Sequence, residues 1–456
     1  MFGLSTLLET ARRALSSEQI GMAITSHNIA NASTTGYSRQ VVHFVTTPAI
    51  QEPCGFLGTG VMVGAIERER DAFLDQQVRY SSSLVGDAST QSSILGQVES
   101  AFNEPSGSGL NSAMTAFFNS FQDLSTHPED SSSRNSVLQQ GALLSESFHR
   151  LSQNLTQLRQ SLKSDISSKV ESINSLSSEI SDLDVKIASA RVTSGSPNDL
   201  LDQRDQKIEE LSKLANVTSS PQADGSVIVS LGGMVIASSA GGVTLGTQEA
   251  GNQIQVITTN DNIALNVSSG ELGGVLKQYN VSIPKYQDQL NQVASTLISS
   301  VNTLHRAGYG LGTPPSTGND FFIGTDAATI DVNPALTANV SNVAASGSGT
   351  AGDNSVALAI ANVQGQLLMN TGSETIAQFY SGMASNIGID INSVDSTVSS
   401  QNLILDQLEN QRSAISGVSL DEEMTNLIQF QRGYDAAARL VTTTNEMFQT
   451  VIAMVQ

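Results

Sequence analysis

Apolar residues recur with helical periodicity at both ends of the chain. Towards the C-terminus they fall at Leu420, Met424, Leu427, Gln431, Tyr434, Ala438, Val441, Asn445, Phe448, Ile452 and Val455, alternately four and three residues apart, with only Gln431 and Asn445 polar. A mean period of about 3.5 residues suits a helix packed along another helix. At the other end Leu4, Leu8, Ala11, Leu15, Met22 and Ile29 form a similar stripe, interrupted by Glu18 and Thr25. The pattern predicts two paired terminal helices forming an inner domain from residues 1–44 and 415–456. By itself such a stripe establishes only that each helix has a face to bury.

Between the ends the period changes several times. Val41, His43 and Val45 alternate with Val42, Phe44 and Thr46, and Val61, Val63 and Ala65 alternate again beyond a loop holding Pro48, Pro53 and Gly55, which predicts a short hairpin. Helical spacing runs from Phe73 through Tyr80, Leu84, Val98 and Phe102 and stops at Pro105-Ser106-Gly107-Ser108-Gly109. A short helix with Met114, Phe117, Phe121 and Leu124 follows, then a long one from Leu151 to Gly195-Ser196-Pro197, completed by Leu200 to Leu214. An uninterrupted helix of that length implies an elongated bundle, assigned to residues 45–216, 270–309 and 353–414. Residues 217–269, rich in Gly, Ser, Thr, Val and Ile, predict a small outer β domain. Residues 310–352, with Pro314-Pro315 and Pro334, predict an irregular insertion belonging with it. The fold class is mainly α with β insertions.

Charged residues make up only 14% of the chain, against about 25% in typical domains, so contacts are expected between apolar and neutral polar faces. A net charge of -21 repels phosphate backbones and anionic lipid, which excludes nucleic acid as a partner. No apolar run approaches the ~20 residues of a membrane span, and Glu9, Arg12, Arg13 and Glu18 occupy the place of a leader's apolar stretch. The expectation is a soluble protein without a cleaved leader or membrane insertion. The one cysteine, Cys54, has no partner for an intrachain disulfide.

Candidate chemistry is sparse. His27, His43, His127, His149 and His305 occur singly, at no zinc-ligand spacing, and Gly58, Gly60 and Gly64 miss the dinucleotide fingerprint. No catalytic, metal or cofactor residues are assigned. Asp421, Glu422 and Glu423 suit the first turn of a helix, with Ser419 and Glu422 at capping-box spacing. Thr35-Gly36 suits a turn that needs positive φ.

The segment Ser26-His27-Asn28-Ile29-Ala30-Asn31-Ala32-Ser33-Thr34-Thr35-Gly36-Tyr37 closely resembles the element at the start of bacterial flagellar rod, hook and hook-associated proteins. Its continuation Ser38-Arg39-Gln40 looks like the hook-associated protein 1 family. So do Gly58 to Val63 with Ile66, Arg68, Asp71, Phe73 and Leu74; Ser269 to Leu276 with Leu297 to Tyr309; and Ser416 to Glu423 with Asn426-Leu427 and Phe430-Gln431-Arg432-Gly433-Tyr434. The resemblance brackets nearly the whole chain. It implies a structural, non-enzymatic protein at the junction of hook and filament, secreted through the flagellar type III apparatus to the extracellular flagellum. Implied partners are identical subunits in a ring, the hook protein, a second hook-filament junction protein and an export chaperone on the C-terminal helix. Terminal-helix and inter-subunit packing is then expected of Leu8, Leu15, Met22, Asn28, Ile29, Asn31, Gly36, Tyr37 and Arg39, and of Leu420, Met424, Leu427, Gln431, Tyr434, Val441, Phe448 and Ile452. The alternatives are a hook or distal rod protein and, more distantly, a secreted hydrolase with its site between Val217 and Gly352.

Overall fold

The computed structural model describes residues 2–52, 55–102 and 109–455. Cys54 and the Pro105–Ser108 part of the predicted break lie outside them. Helix α1 (Phe2–Asn31) leads into an antiparallel ribbon of β1 (Gln40–Thr46) and β4 (Val61–Arg68), whose connection carries a smaller pair, β2 (Ile50–Glu52) and β3 (Gly55–Leu57). The hairpin predicted from alternation is thus present and extended at its tip.

The bundle begins with α2 (Ala72–Phe102) and α3 (Leu110–Thr126). In α3 the expected Met114, Phe117, Phe121 and Leu124 are all buried. In α2 the expected Val98 and Phe102 are buried, but the face differs in the first turns: Phe73 and Tyr80 are exposed, while Leu74, Val78, Ser81, Ser82 and Ser83 are buried. Close approach is the reason. A Cβ on Gly86 would sit 2.6 Å from the Lys213 carbonyl, and the Ser83 and Ser269 hydroxyls are 2.6 Å apart, so small residues line this contact.

Helix α4 (Ser131–Ser194) runs 64 residues, roughly 95 Å at 1.5 Å per residue, starting well before Leu151. Asp130 defines its start by accepting from the Ser132 and Ser133 amides at 3.1 and 3.0 Å. Helix α5 (Asn198–Leu214) packs back along it. Two three-stranded sheets follow, with orders β5-β6-β7 (Val217–Pro221, Val227–Leu231, Met234–Ala237) and β8-β9-β10 (Leu245–Ala250, Gln253–Thr258, Ala264–Leu265). They lie on α4 instead of standing off it. Asn174 exchanges two 2.9 Å hydrogen bonds with the Leu245 backbone, and Val229, Leu231 and Val256 share one core with Ile166, Ile173 and Ile180.

Helices α6 (Gly270–Lys277) and α7 (Ile283–Ala307) return to the bundle through a single π turn. The stretch predicted as an irregular insertion carries the β11 (Phe322–Ile323) and β12 (Asp331–Val332) pair and α8 (Pro334–Ala338), and it packs inside. Phe321 and Phe322 stack edgewise at 4.8 Å and meet Phe117 at 5.4 and 5.3 Å. Arg134, buried in the first turn of α4, donates to the carbonyls of Pro128 and Val343 and clamps this segment to the bundle. Helix α9 (Ser355–Asn362) leads to α10 (Ile376–Ser416), started by a Thr375–Gln378 capping box, and α11 (Leu420–Val455) closes the chain.

Candidate functional site at the terminal helix pair

Helices α1 and α11 pack antiparallel: Asn28 bonds Glu423, Gly21 lies under the Phe430 ring, and Gly433 lies under the Glu18 carboxyl. A Cβ on Gly21 would meet Phe430 at 2.8 Å, and one on Gly433 would meet Glu18 at 2.6 Å. A larger residue at Gly21 would have to displace the Phe430 ring, and one at Gly433 the Glu18 carboxyl. The buried residues of the seam are small or polar: Ala11, Ser17, Gly21, Thr25 and Asn28 on α1, and Glu423, Ala437 and Thr444 on α11.

Apart from Ala11 and Thr25, which occupy positions of the predicted α1 stripe, this seam is displaced by about one residue from the predicted apolar stripes. Leu8, Leu420, Met424, Gln431, Tyr434 and Ile452 are exposed; Leu15, Met22, Ile29, Leu427, Val441 and Phe448 are half-buried. One residue is about 100° around a helix. On antiparallel helices a rotation of the same sense leads to the same side, so both stripes lie on one face of the pair. The ribbon occupies the other flank, where Ala23, Ile24 and His27 share a cleft with Gln40 and Ile66.

A polar hub fixes the base of the pair. Asn28 is 1% exposed, and its side chain is fully satisfied. Its amide donates to the Gln40 carbonyl at 2.9 Å and to Glu423 Oε2 at 3.0 Å; its oxygen accepts from the Tyr37 hydroxyl at 2.7 Å and the Gln40 amide at 3.0 Å. Having donated to Asn28, the Tyr37 hydroxyl accepts from His27 Nδ1 at 3.0 Å. Burial, with Asp199, Asp202 and Glu423 nearby, raises the Tyr37 pKa, so the hydroxyl stays protonated. Asn31 bonds back to the His27 carbonyl, and Gly36 adopts φ +81 as its turn requires. Arg39 donates to Glu423 at 2.9 Å, pairs with Glu422 at 3.3 Å, and bonds the end of α10 through its amide and the Ser416 carbonyl.

Ser38 passes the connection to α5 by donating to both oxygens of Asp202. There Asp202 and Asp205 face Arg68, Arg70 and Arg204 at 2.7–3.0 Å. Burial alone would raise the Asp205 pKa, but Arg204, Arg70 and Arg68 outweigh it and hold the carboxyl below its ordinary value. A depressed carboxylate contributes stability above its unfolded-state pKa and loses it as pH falls through the folded-state value. Asp205→Asn is therefore expected to cost about 2 kcal/mol at pH 7 and to flatten the loss of stability below pH ~4. Denaturant melts at both pH values check this; parallel pH profiles would contradict it.

Local spacing places Glu423 at the helix start with its two acidic neighbours, yet its side chain is 2% exposed and joins both chain ends. No local spacing signals this, because its partners Asn28 and Arg39 lie at the other end of the sequence. The Asn28 amide and the Arg39 guanidinium are its complements.

The hub offers little chemistry. A cleft of about 410 Å³ beside Tyr37 is lined by Arg70 and Arg412, already paired with acids. Among the described residues no group of three His, Cys, Asp or Glu could hold a metal ion, and no helix is long and apolar enough to cross a membrane. His305, at the border of the region considered for a hydrolase site, donates from Nδ1 to the Asn319 carbonyl and accepts at Nε2 from the Ala344 amide. Burial pushes it down to about 4. Its lone pair is already engaged.

Known proteins resemble this chain along nearly its whole length. Residues 95–322 match the family described as the flagellar hook-associated protein FlgK helical domain, 8–37 the flagella basal body rod protein, and 409–454 the flagellar basal body rod FlgEFG protein C-terminal. Hook-associated protein 1 of Bacillus subtilis (strain 168) is 33% identical, with 98% of this chain and 97% of the relative covered. That of Escherichia coli (strain K12) is 25% identical over 98% of this chain and 100% of the relative. The flagellar hook junction protein FlgK from Burkholderia pseudomallei shares the fold, with a TM-score of 0.65 at 17% identity, covering 75% of this chain and all of that one. Paired termini carrying rod-protein signatures around a helical bundle define a flagellar structural protein. Within that class, the chain belongs to the flagellar hook-associated protein 1 family.

Proposed function

We propose that the protein joins hook to filament as a ring of identical subunits, each presenting the open face of its α1–α11 pair to the next. One observation carries the reading: the chain spends small residues on its own helix seam and leaves Leu8, Met424, Tyr434 and Ile452 outside. A monomer has no use for such a stripe, whereas heterologous contacts repeated around an axis bury it. The hook protein is then the neighbour on one side and a second junction protein on the other. An export chaperone covers the same stripe of α11 before secretion, and the final location is the extracellular hook-filament junction. No enzymatic activity or cofactor is part of this reading, since the polar groups of the hub are engaged with one another. The test is to add purified protein to isolated hooks and image them by negative stain. Added density at one hook end is expected; protein that stays monomeric in the presence of hooks overturns the proposal.

A further inference from the structure

One position of the apolar stripe on α1 carries a charge. Glu18 lies between Leu15 and Met22, its helical neighbours at i−3 and i+4, with its carboxyl against the Gly433 backbone. It has no hydrogen-bond or ion-pair partner among the described residues, and its partial desolvation raises its pKa. A carboxylate held at the edge of an apolar contact is costly once a neighbour covers it, unless that neighbour brings a cation.

The terminal helices carry few candidates. Arg12 and Arg13 are both taken by Glu9. Arg432 and Arg439 of α11 are exposed and pair with no acid among the described residues. Seven residues apart, they lie on one outward face of the helix, away from the seam.

We propose that Glu18 receives the guanidinium of Arg432 or Arg439 from a second copy of this chain, so that this pair sets the register in which subunits pack. The inference rests on the ring of subunits proposed above. The charge fits: in a protein of net charge -21, Arg432 and Arg439 lie on the side of α11 away from the seam that Glu18 borders, so the complement of the partly desolvated Glu18 comes from another copy. The apolar stripe provides the area, and the ion pair selects which of several one-turn shifts is occupied.

Charge exchange tests this. Glu18→Arg should lower the fraction of cells bearing filaments by about tenfold or more, as a like charge then faces the neighbour's arginine. Arg432→Glu or Arg439→Glu, whichever supplies the partner, should do the same. Only the matching double reversal should restore filaments, and Glu18→Gln should lie between. Melting of each purified monomer separates misfolding from failed assembly, because a damaged seam lowers the melting temperature and is not rescued by a distant reversal. Normal filaments with all three single reversals, or no rescue by either double reversal, overturn the pairing. If subunits ring the hook regardless, the apolar-face reading stands without it; if wild-type protein does not bind hooks, that reading fails first.

Discussion

Cells carrying Met424→Asp together with Tyr434→Asp are expected to bear hooks without filaments, while the purified monomer melts within about 2 °C of the parent. Met424 is 56% and Tyr434 37% exposed, so in the isolated chain each new carboxylate remains hydrated. Exposed substitutions away from caps and cores usually change stability by about 0.5 kcal/mol or less. Once a neighbouring subunit covers the face, both charges are desolvated against apolar side chains with no partner, which costs several kcal/mol per contact. In the ring proposed above, repetition multiplies that cost. Filament counts and differential scanning calorimetry on the same variant give the answer. A sharp fall in melting temperature with filaments retained would make these residues part of the intrachain core.

Phe321→Ala should cost about 3–5 kcal/mol and show as an early loss of the whole bundle in denaturant. The residue lies in the stretch whose composition suggests a surface excursion, yet it is fully buried and its ring meets Phe117, Phe121, Phe322 and His305 at 4.8–5.5 Å. Truncation leaves a cavity that α3, α7 and the β11–β12 pair cannot close, because each is tied by hydrogen bonds. Asn302, for example, bonds the backbone of both Phe321 and Phe322. A loss below about 1 kcal/mol would place this segment outside the cooperative core.

The two results concern regions that the sequence describes unequally. Long apolar periodicity marks α3, α4 and both terminal helices, because one face of a helix must be buried whatever lies opposite. The turn at Gly36 is legible because φ +81 excludes most side chains. Glycine- and proline-rich composition in residues 310–352 suggests short, broken elements, and the stretch does hold only the β11–β12 pair and short helical turns, but composition carries no information on whether such chain lies outside or inside. Arg134, reaching Pro128 and Val343 from the first turn of α4, decides that it lies inside.

For the terminal helices the sequence determined that each has an apolar stripe, that the stripes have a packing period, and that Asn28, Tyr37 and Arg39 occupy a turn leaving the first helix. It did not determine which face each helix turns to its own partner. The largest side chains suggest one seam; the tertiary structure uses another, rotated by about one residue, where Gly21 and Gly433 allow Phe430 and Glu18 to come within van der Waals reach. Periodicity records how much surface a helix must eventually cover, and close packing within the chain depends on small residues that leave no hydrophobic signal. Only the folded chain, by burying Glu423 against Asn28 and Arg39 from opposite ends of the sequence, determined the register of the pair and so which stripe remains open.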